Sequence, residues 1–439
     1  MKQENYDVVV IGSGIGGMCA AALLSHDGYR TLVVEKMALL GGRFSTLDHD
    51  GFKVTTGAIM FPTNGPLAEV FHEVGAKYEI VIPKTQFTFR FDGTDYDMPD
   101  RGILGQAISI AGETKEEVAR VMGAVRKGLK WEEPSDLISL REWLLQYTAN
   151  DKILGMFQSW VSSMHSINAY EMPAGEYFRY LKEMGSLRSS GFPVDGSNLN
   201  LIRSLAEVVE SKGGAVLVRC RAKRILVENE VVQGLVFENE DHELVEARAK
   251  VIISNIGPSG TVELAGATSF DKGYLKELSE NLKPAPIIAA HTISDRPLIQ
   301  APGMLMLPQT RRVSCFICPT LTCPEMAPEG KHILESFGAI KNSLTPVNMK
   351  EEIDLHIQDL KDNLPGLDEN AKILSINCFQ GKWPTLRNWP GAALSHKTSV
   401  ENLYNVGDGV LPQGWSTASG CAKTAQMVAE DVKNRVVPG

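Results

Sequence analysis

The sequence predicts an α/β protein in which a nucleotide-binding domain, a parallel sheet with helices and a β-meander, is interleaved with an α+β substrate-binding domain. Three observations predict it. The chain opens on a β-branched run, Val8-Val9-Val10-Ile11, of the kind buried on both faces of a parallel sheet. A glycine-rich turn, a small-residue helix and a second apolar strand follow without a break. Further apolar strands, Val251–Asn255 and Asn402–Val406, return much later, so one sheet is assembled from distant parts of the chain. The boundaries read as 1–75, 190–270 and 375–439 for the nucleotide-binding domain, and 76–189 and 271–374 for the substrate domain.

Length and composition support two domains. The chain has 439 residues, 43% hydrophobic and 22% charged, enough to bury large cores. A formal net charge of −9 argues against a nucleic-acid binder that relies on a basic surface. No run approaches the roughly 18 apolar residues of a membrane span, and the N-terminus has no charged-then-apolar leader, so the expected compartment is the cytoplasm. Seven scattered cysteines fit reduced thiols better than a disulfide framework.

The opening unit carries chemistry. Tyr6–Ile11 is the first strand, Gly12-Ser13-Gly14-Ile15-Gly16-Gly17 the turn, Met18–Ser25 the helix, and Thr31–Glu35 the second strand. Gly12 permits the tight turn, Gly14 a close approach of the backbone to a pyrophosphate, and Gly17 close packing of helix on strand. The helix N-terminus offers N–H groups and the positive dipole end to phosphates. Glu35, followed by Lys36, stands where a carboxylate accepts hydrogen bonds from ribose hydroxyls. The full context of strand, Gly-x-Gly-x-x-Gly, helix, strand and acid predicts a Rossmann-like dinucleotide site.

Gly41-Gly42-Arg43 and the strand Gly51–Ala58, with its terminal Gly57, follow the second strand. This arrangement resembles the extended FAD fingerprint of flavin amine oxidases and phytoene desaturases. Two later segments extend the resemblance. Leu199–Lys212, Gly213-Gly214 and a meander lead into Val251-Ile252-Ile253-Ser254-Asn255. Strand 402–406, Gly407-Asp408-Gly409, Trp415-Ser416-Thr417 and a helix through Val432 close the chain. Gln380–Pro384 and Asn388–Gly391 also look like the family's segment before the last strand. The resemblance is to the phytoene-desaturase-like branch of FAD-dependent amine oxidase-type flavoproteins and covers almost the whole chain.

The resemblance implies non-covalent FAD. It implies that Arg43 sets a fixed charge against phosphate or flavin oxygens, that Gly57 lies against the isoalloxazine, and that Ala222 contacts adenine through its backbone. It places Asp408 near the ribityl and pyrophosphate groups. The N-terminus of the last helix then points at the flavin's pyrimidine edge, where negative charge builds on reduction. Val410-Leu411-Pro412-Gln413 departs from the histidine- and glycine-rich run of bacterial carotene desaturases, and Trp415-Ser416 resembles the amine-oxidase end of the superfamily.

The helix-rich stretch Thr114–Lys182 holds Met156, Phe157, Trp160, Met164 and His165, which read either as core or as the wall of an apolar cavity. Candidate substrate-pocket residues are Met60, Phe61, Trp160, His165 and Trp415. No catalytic acid or base stands out; His165, His291 and His332 are candidates only by type. Cys315, Cys318 and Cys323 form the one thiol cluster; they read as core cysteines rather than metal ligands. Three functions remain open. The first is dehydrogenation or flavin-assisted isomerisation of a hydrophobic, isoprenoid-like substrate. The second is amine oxidation. The third is a non-catalytic FAD-binding, escort-type module. No second Gly-x-Gly-x-x-Gly marks a nicotinamide site, so oxygen, a quinone or another protein is the expected electron acceptor. Peripheral membrane contact would fall in 114–182.

Overall fold

A computed structural model describes residues 2–131, 135–187, 189–344 and 346–439. Residues 132–134 of the helix-rich stretch lie outside it.

The first sheet runs, in spatial order, 215–217, Thr31–Val34, Lys2–Ile11, Leu244–Ser254, Val231–Glu238 and Arg221–Glu228. Its parallel half follows from the β-branched runs: Val8, Val9 and Val10 are wholly buried between layers of helix. The long strand Leu244–Ser254 joins two sub-structures. Its first half pairs antiparallel with the meander, and its second half pairs parallel with Leu403–Asn405. The sequence reads Val251–Asn255 as a strand of its own, separate from the meander before it. The structure corrects that: Arg248 pairs with Asn5 and Ala249 with Tyr6, so the pleat continues unbroken.

Helix Ile15–His26 is buried along nearly its whole length. Its alanines let it sit between the sheet and two other helices, Asn198–Ser211 and Thr417–Lys433. The last helix answers with Ala418, Ala422, Ala425 and Ala429, all buried. The two ends of the chain therefore meet in one core.

The second sheet has the order Ala371–Phe379, Ile287–Ser294, His332–Ala339, Cys315–Ile317, Met304–Met306, Phe87–Phe91, Thr94–Asp97. One face packs under helices Ile103–Ala111, Asp151–His165 and Ala174–Met184, whose aromatic and Met side chains join the largest core. Pro173 begins the last of these helices as its N-cap, as a residue without an N–H can. The loop before the last helix is tied to the helices over the second sheet by specific bonds. Ser416 Oγ donates to Met164 O at 3.1 Å, and Gly414 N to Glu176 Oε1 at 2.7 Å. Burial raises the Glu176 pKa, although Arg179 and the Gly414 amide pull the other way.

Among the described residues no helix is long and apolar enough to cross a membrane.

Candidate active site

A cavity of about 770 Å³ runs between the two sheets. At one end it is lined by Gly12, Gly14, Ile15, Gly16, Glu35, Lys36, Gly42, Arg43, Ala222 and Asn255, and further along by Gly57, Ala58, Asp408, Ser416 and Thr417. Met60, Phe61 and Trp415 lie on its wall.

Two helices start at this cavity. Helix Ile15–His26 has Gly14 as N-cap, which has no side chain to cap it, and helix Thr417–Lys433 has Ser416, whose side chain makes no capping hydrogen bond. The first-turn N–H groups of both are thus left for a partner. The tight geometry behind them is the chain's own. Gly12 has φ +92°, and a Cβ on Gly17 would strike the Gly12 carbonyl. Gly407 sits behind the first turn, where a Cβ on Gly16 would approach its N and Cα at 3.0 Å. Asn255 is the clasp. Its amide donates to Ile11 O at 2.9 Å, and its side chain fills the space between Gly14, Gly17 and Gly407.

Glu35 is 6% exposed at the end of its strand. Its Oε2 accepts from Ser13 N at 2.9 Å and Ser13 Oγ at 2.8 Å, and its Oε1 from Met37 N at 2.8 Å. Oε2 is filled by the two Ser13 donors, and Oε1 keeps one acceptor site open toward the cavity. Ala222 is reached by an unexpected route. It is the second residue of strand Arg221–Glu228, and a bulge between Ala222 and Arg224 turns the backbone at the cavity rim. Gly57 is also crowded by its own chain: a Cβ there would meet Arg43 O at 2.9 Å.

The charged centre is a triad that the sequence half revealed. Arg43 forks onto Asp408, Nη1 to Oδ2 at 2.6 Å and Nη2 to Oδ1 at 2.9 Å. The expected free charge at Arg43 is therefore already paired, and its Nη1 also donates to the carbonyls of Pro384 and Thr385. Arg387 supplies the missing charge. Its Nη1 reaches Asp408 Oδ1 at 3.1 Å, its backbone N reaches Oδ2 at 2.9 Å, and its Nε donates to Ile256 O at 2.9 Å. Burial raises the Asp408 pKa, but the two guanidinium groups outweigh it and hold the carboxyl well below the usual range. Burial, then repulsion from Arg43, lowers the Arg387 pKa. Two cations share one anion, so the groove carries one uncompensated buried positive charge beside two uncapped helix ends. A diphosphate supplies what this arrangement lacks.

Toward the second sheet the wall becomes apolar: Phe87, Ile287, Ala289, Met304, Phe337 and Phe379. Tyr180, Met164 and Met184 close it from the helical side. Trp160 and His165, expected here, do not line the cavity. Trp160 lies behind Phe87 and Phe89, with ring centroids at 5.2 and 6.4 Å. His165 packs edge-on against Tyr180 at 4.2 Å, and burial pushes its pKa down to about 3, so it is neutral core. Helix 151–165 turns both side chains away from the cavity and presents Ser163 and Met164. Cys315, Cys318 and Cys323 are buried with different neighbours; burial pushes their thiols up to about 12, 11 and 11. Sequence reasoning missed Arg387 and Glu335. Arg387 stands out only as the one arginine in a Trp- and Pro-rich segment, and Glu335 as the one acid in the apolar strand His332–Ala339.

Thr417, first residue of the last helix, has φ +56°. A β-branched residue in the left-handed region is strained, and here it stands on the cavity wall.

The sequence profile of the flavin containing amine oxidoreductases matches residues 15–433. An uncharacterised protein of Methanocaldococcus jannaschii is 28% identical over 94% of this chain and 96% of its own length. A 15-cis-phytoene desaturase of Capsicum annuum is 24% identical over 97% of this chain and 77% of its own. The crystal structure of an oxidoreductase from Methanosarcina mazei superposes with a TM-score of 0.86 at 28% identity, covering 97% of this chain and all of that one. The chain belongs to the flavin containing amine oxidoreductases, and FAD, held without a covalent link, is its cofactor.

Proposed function

Starting from membership of that family, we propose that this flavin oxidoreductase dehydrogenates, or isomerises with the help of its flavin, a hydrophobic substrate of isoprenoid character. One observation carries the reading: a single cavity passes from a charged diphosphate cradle to an apolar chamber with no break between them. Bound FAD supplies a two-electron acceptor for hydride from carbon. The chain supplies the rest. Arg387 and the first-turn N–H groups of helix 15–26 bind diphosphate, and Glu35 binds ribose. Phe87, Met304, Phe337 and Phe379 bind apolar chain and exclude water. The similarity to a phytoene desaturase across nearly the whole chain supports a long unsaturated hydrocarbon. Oxygen, a quinone or another protein is the electron acceptor, and a lipid substrate would be met at a membrane surface.

The test is anaerobic mixing of FAD-loaded protein with phytoene in phosphatidylcholine vesicles, with prolycopene, and with putrescine. The reading predicts loss of the oxidised flavin band with phytoene, or product isomerisation with prolycopene under reducing conditions. Flavin reduction by putrescine alone would move the assignment to amine oxidation. No response to any of the three, with FAD bound, would favour a non-catalytic module.

A further inference from the structure

The apolar chamber contains one deep carboxylate. Glu335 lines the cavity and is 3% exposed. Thr55 Oγ1 donates to its Oε2 at 2.7 Å. Across the sheet, strand pairing puts Glu335 opposite His291, and His291 opposite Ser375. The three side chains therefore stand in a row on one face of three adjacent strands. His291 Nδ1 lies 3.1 Å from Ser375 Oγ, and His291 Nε2 lies 3.7 Å from Glu335 Oε2. His291 is 1% exposed, and its Nε2 has no hydrogen-bond partner among the described residues. Ser375 is half-buried on the edge strand of the sheet. Cys315 also faces Glu335 from the next strand.

A buried carboxylate and imidazole are costly to keep without a use. Nothing in the cofactor groove needs these two. We propose that Glu335, His291 and Ser375 form a proton relay from the substrate chamber to the outer edge of the sheet. The use rests on the dehydrogenation reading above. When a C–H bond breaks to Glu335, its electron pair becomes the new C=C bond and the proton forms an O–H on the carboxylate. Bound FAD would supply the two-electron acceptor for the hydride of the neighbouring carbon. Glu335 then passes the proton to His291 Nε2, once a small ring rotation closes 3.7 Å to hydrogen-bond length, as catalytic contacts commonly do. His291 releases its Nδ1 proton through Ser375 to solvent. A chamber filled by an apolar chain has no water to do this.

The relay can be tested without substrate. In FAD-loaded protein with 15N-labelled histidine, ring N–H exchange into D2O is followed for His291, assigned with H291Q. His165 and His356 serve as internal controls; each is likewise 1% exposed. The relay predicts exchange at His291 about tenfold or more faster than at either control. S375A slows it by a similar factor, and S375T restores it. Equal exchange at all three histidines would overturn the relay, and so would an S375A protein with an unchanged flavin spectrum and unchanged His291 exchange. If a variant does not fold, the three-histidine comparison in the native protein decides alone. The relay can fail while phytoene still reduces the flavin, and it can hold where phytoene does not, so the two claims separate.

Discussion

The two halves of the cavity solve opposite problems. The groove half concentrates charge: Arg43, Arg387 and Asp408 are linked by bidentate and shared hydrogen bonds, with two helix N-termini beside them. The chamber half is mostly apolar, with Glu335 its deep carboxylate among Phe, Met and Ile. The difference teaches where binding energy comes from. A diphosphate is recognised by fixed charges and backbone amides, which cannot relax. An apolar chain is recognised by area, to which no single residue is essential. Substitutions should therefore act sharply in the groove and diffusely in the chamber.

The largest effect is expected at Asp408. D408A leaves two guanidinium groups buried without their carboxylate, and loss of one partner of a buried pair costs about 3–5 kcal/mol. Urea unfolding of the FAD-free protein should show that loss; a change under about 1 kcal/mol would mean that the triad is solvated, which would erase the contrast between the halves. Next comes Arg387. R387Q should weaken FAD binding by about 1.5–3 kcal/mol, one to two powers of ten, the range for hydrogen bonds to charged groups. Calorimetric titration reads it. Stability of the FAD-free protein should hold or rise, because burial and repulsion from Arg43 outweigh the attraction of Asp408 for Arg387.

Acid acts on the core behind the chamber before it reaches the groove. The folded pKa of His165 is depressed to about 3, so the unfolded chain takes up the proton first. Stability is therefore lost as pH falls below about 6.5 and is down by about 2 kcal/mol at pH 5 from this residue. H165F should flatten that limb in urea midpoints at pH 7 and 5. Asp408 has the usual carboxylate sign, and its contribution fades only below about pH 4. Equal acid limbs in H165F and native protein would mean that His165 is hydrated in the native state. The smallest effect is at Thr417. T417G relieves a strained β-branched residue and should stabilise the FAD-free protein by about 1 kcal/mol in a thermal scan.

How far the sequence could be read follows the same division. Gly12, Gly14 and Glu35 could be placed at one cavity because their strand, turn and helix are consecutive, whereas Asp408 was indicated only by the family resemblance. The Arg43–Asp408–Arg387 triad joins residues hundreds of positions apart, so Arg43 read as a free charge. The row Glu335, His291, Ser375 exists only through strand register, which no local pattern announces. Trp160 and His165 were misplaced because helix 151–165 is apolar on more than one side. Aromatic content indicated a core there but could not say which turn faces the cavity.

The most direct measurement is calorimetric titration of the deflavinated protein with FAD, FMN and riboflavin. The charge-cradle account predicts FAD binding far tighter than riboflavin, FMN between them, and most of the FAD advantage lost in R387Q. Equal binding of all three would contradict it, because affinity would then reside in the ring alone and the paired arginines and open helix ends would have no diphosphate to hold.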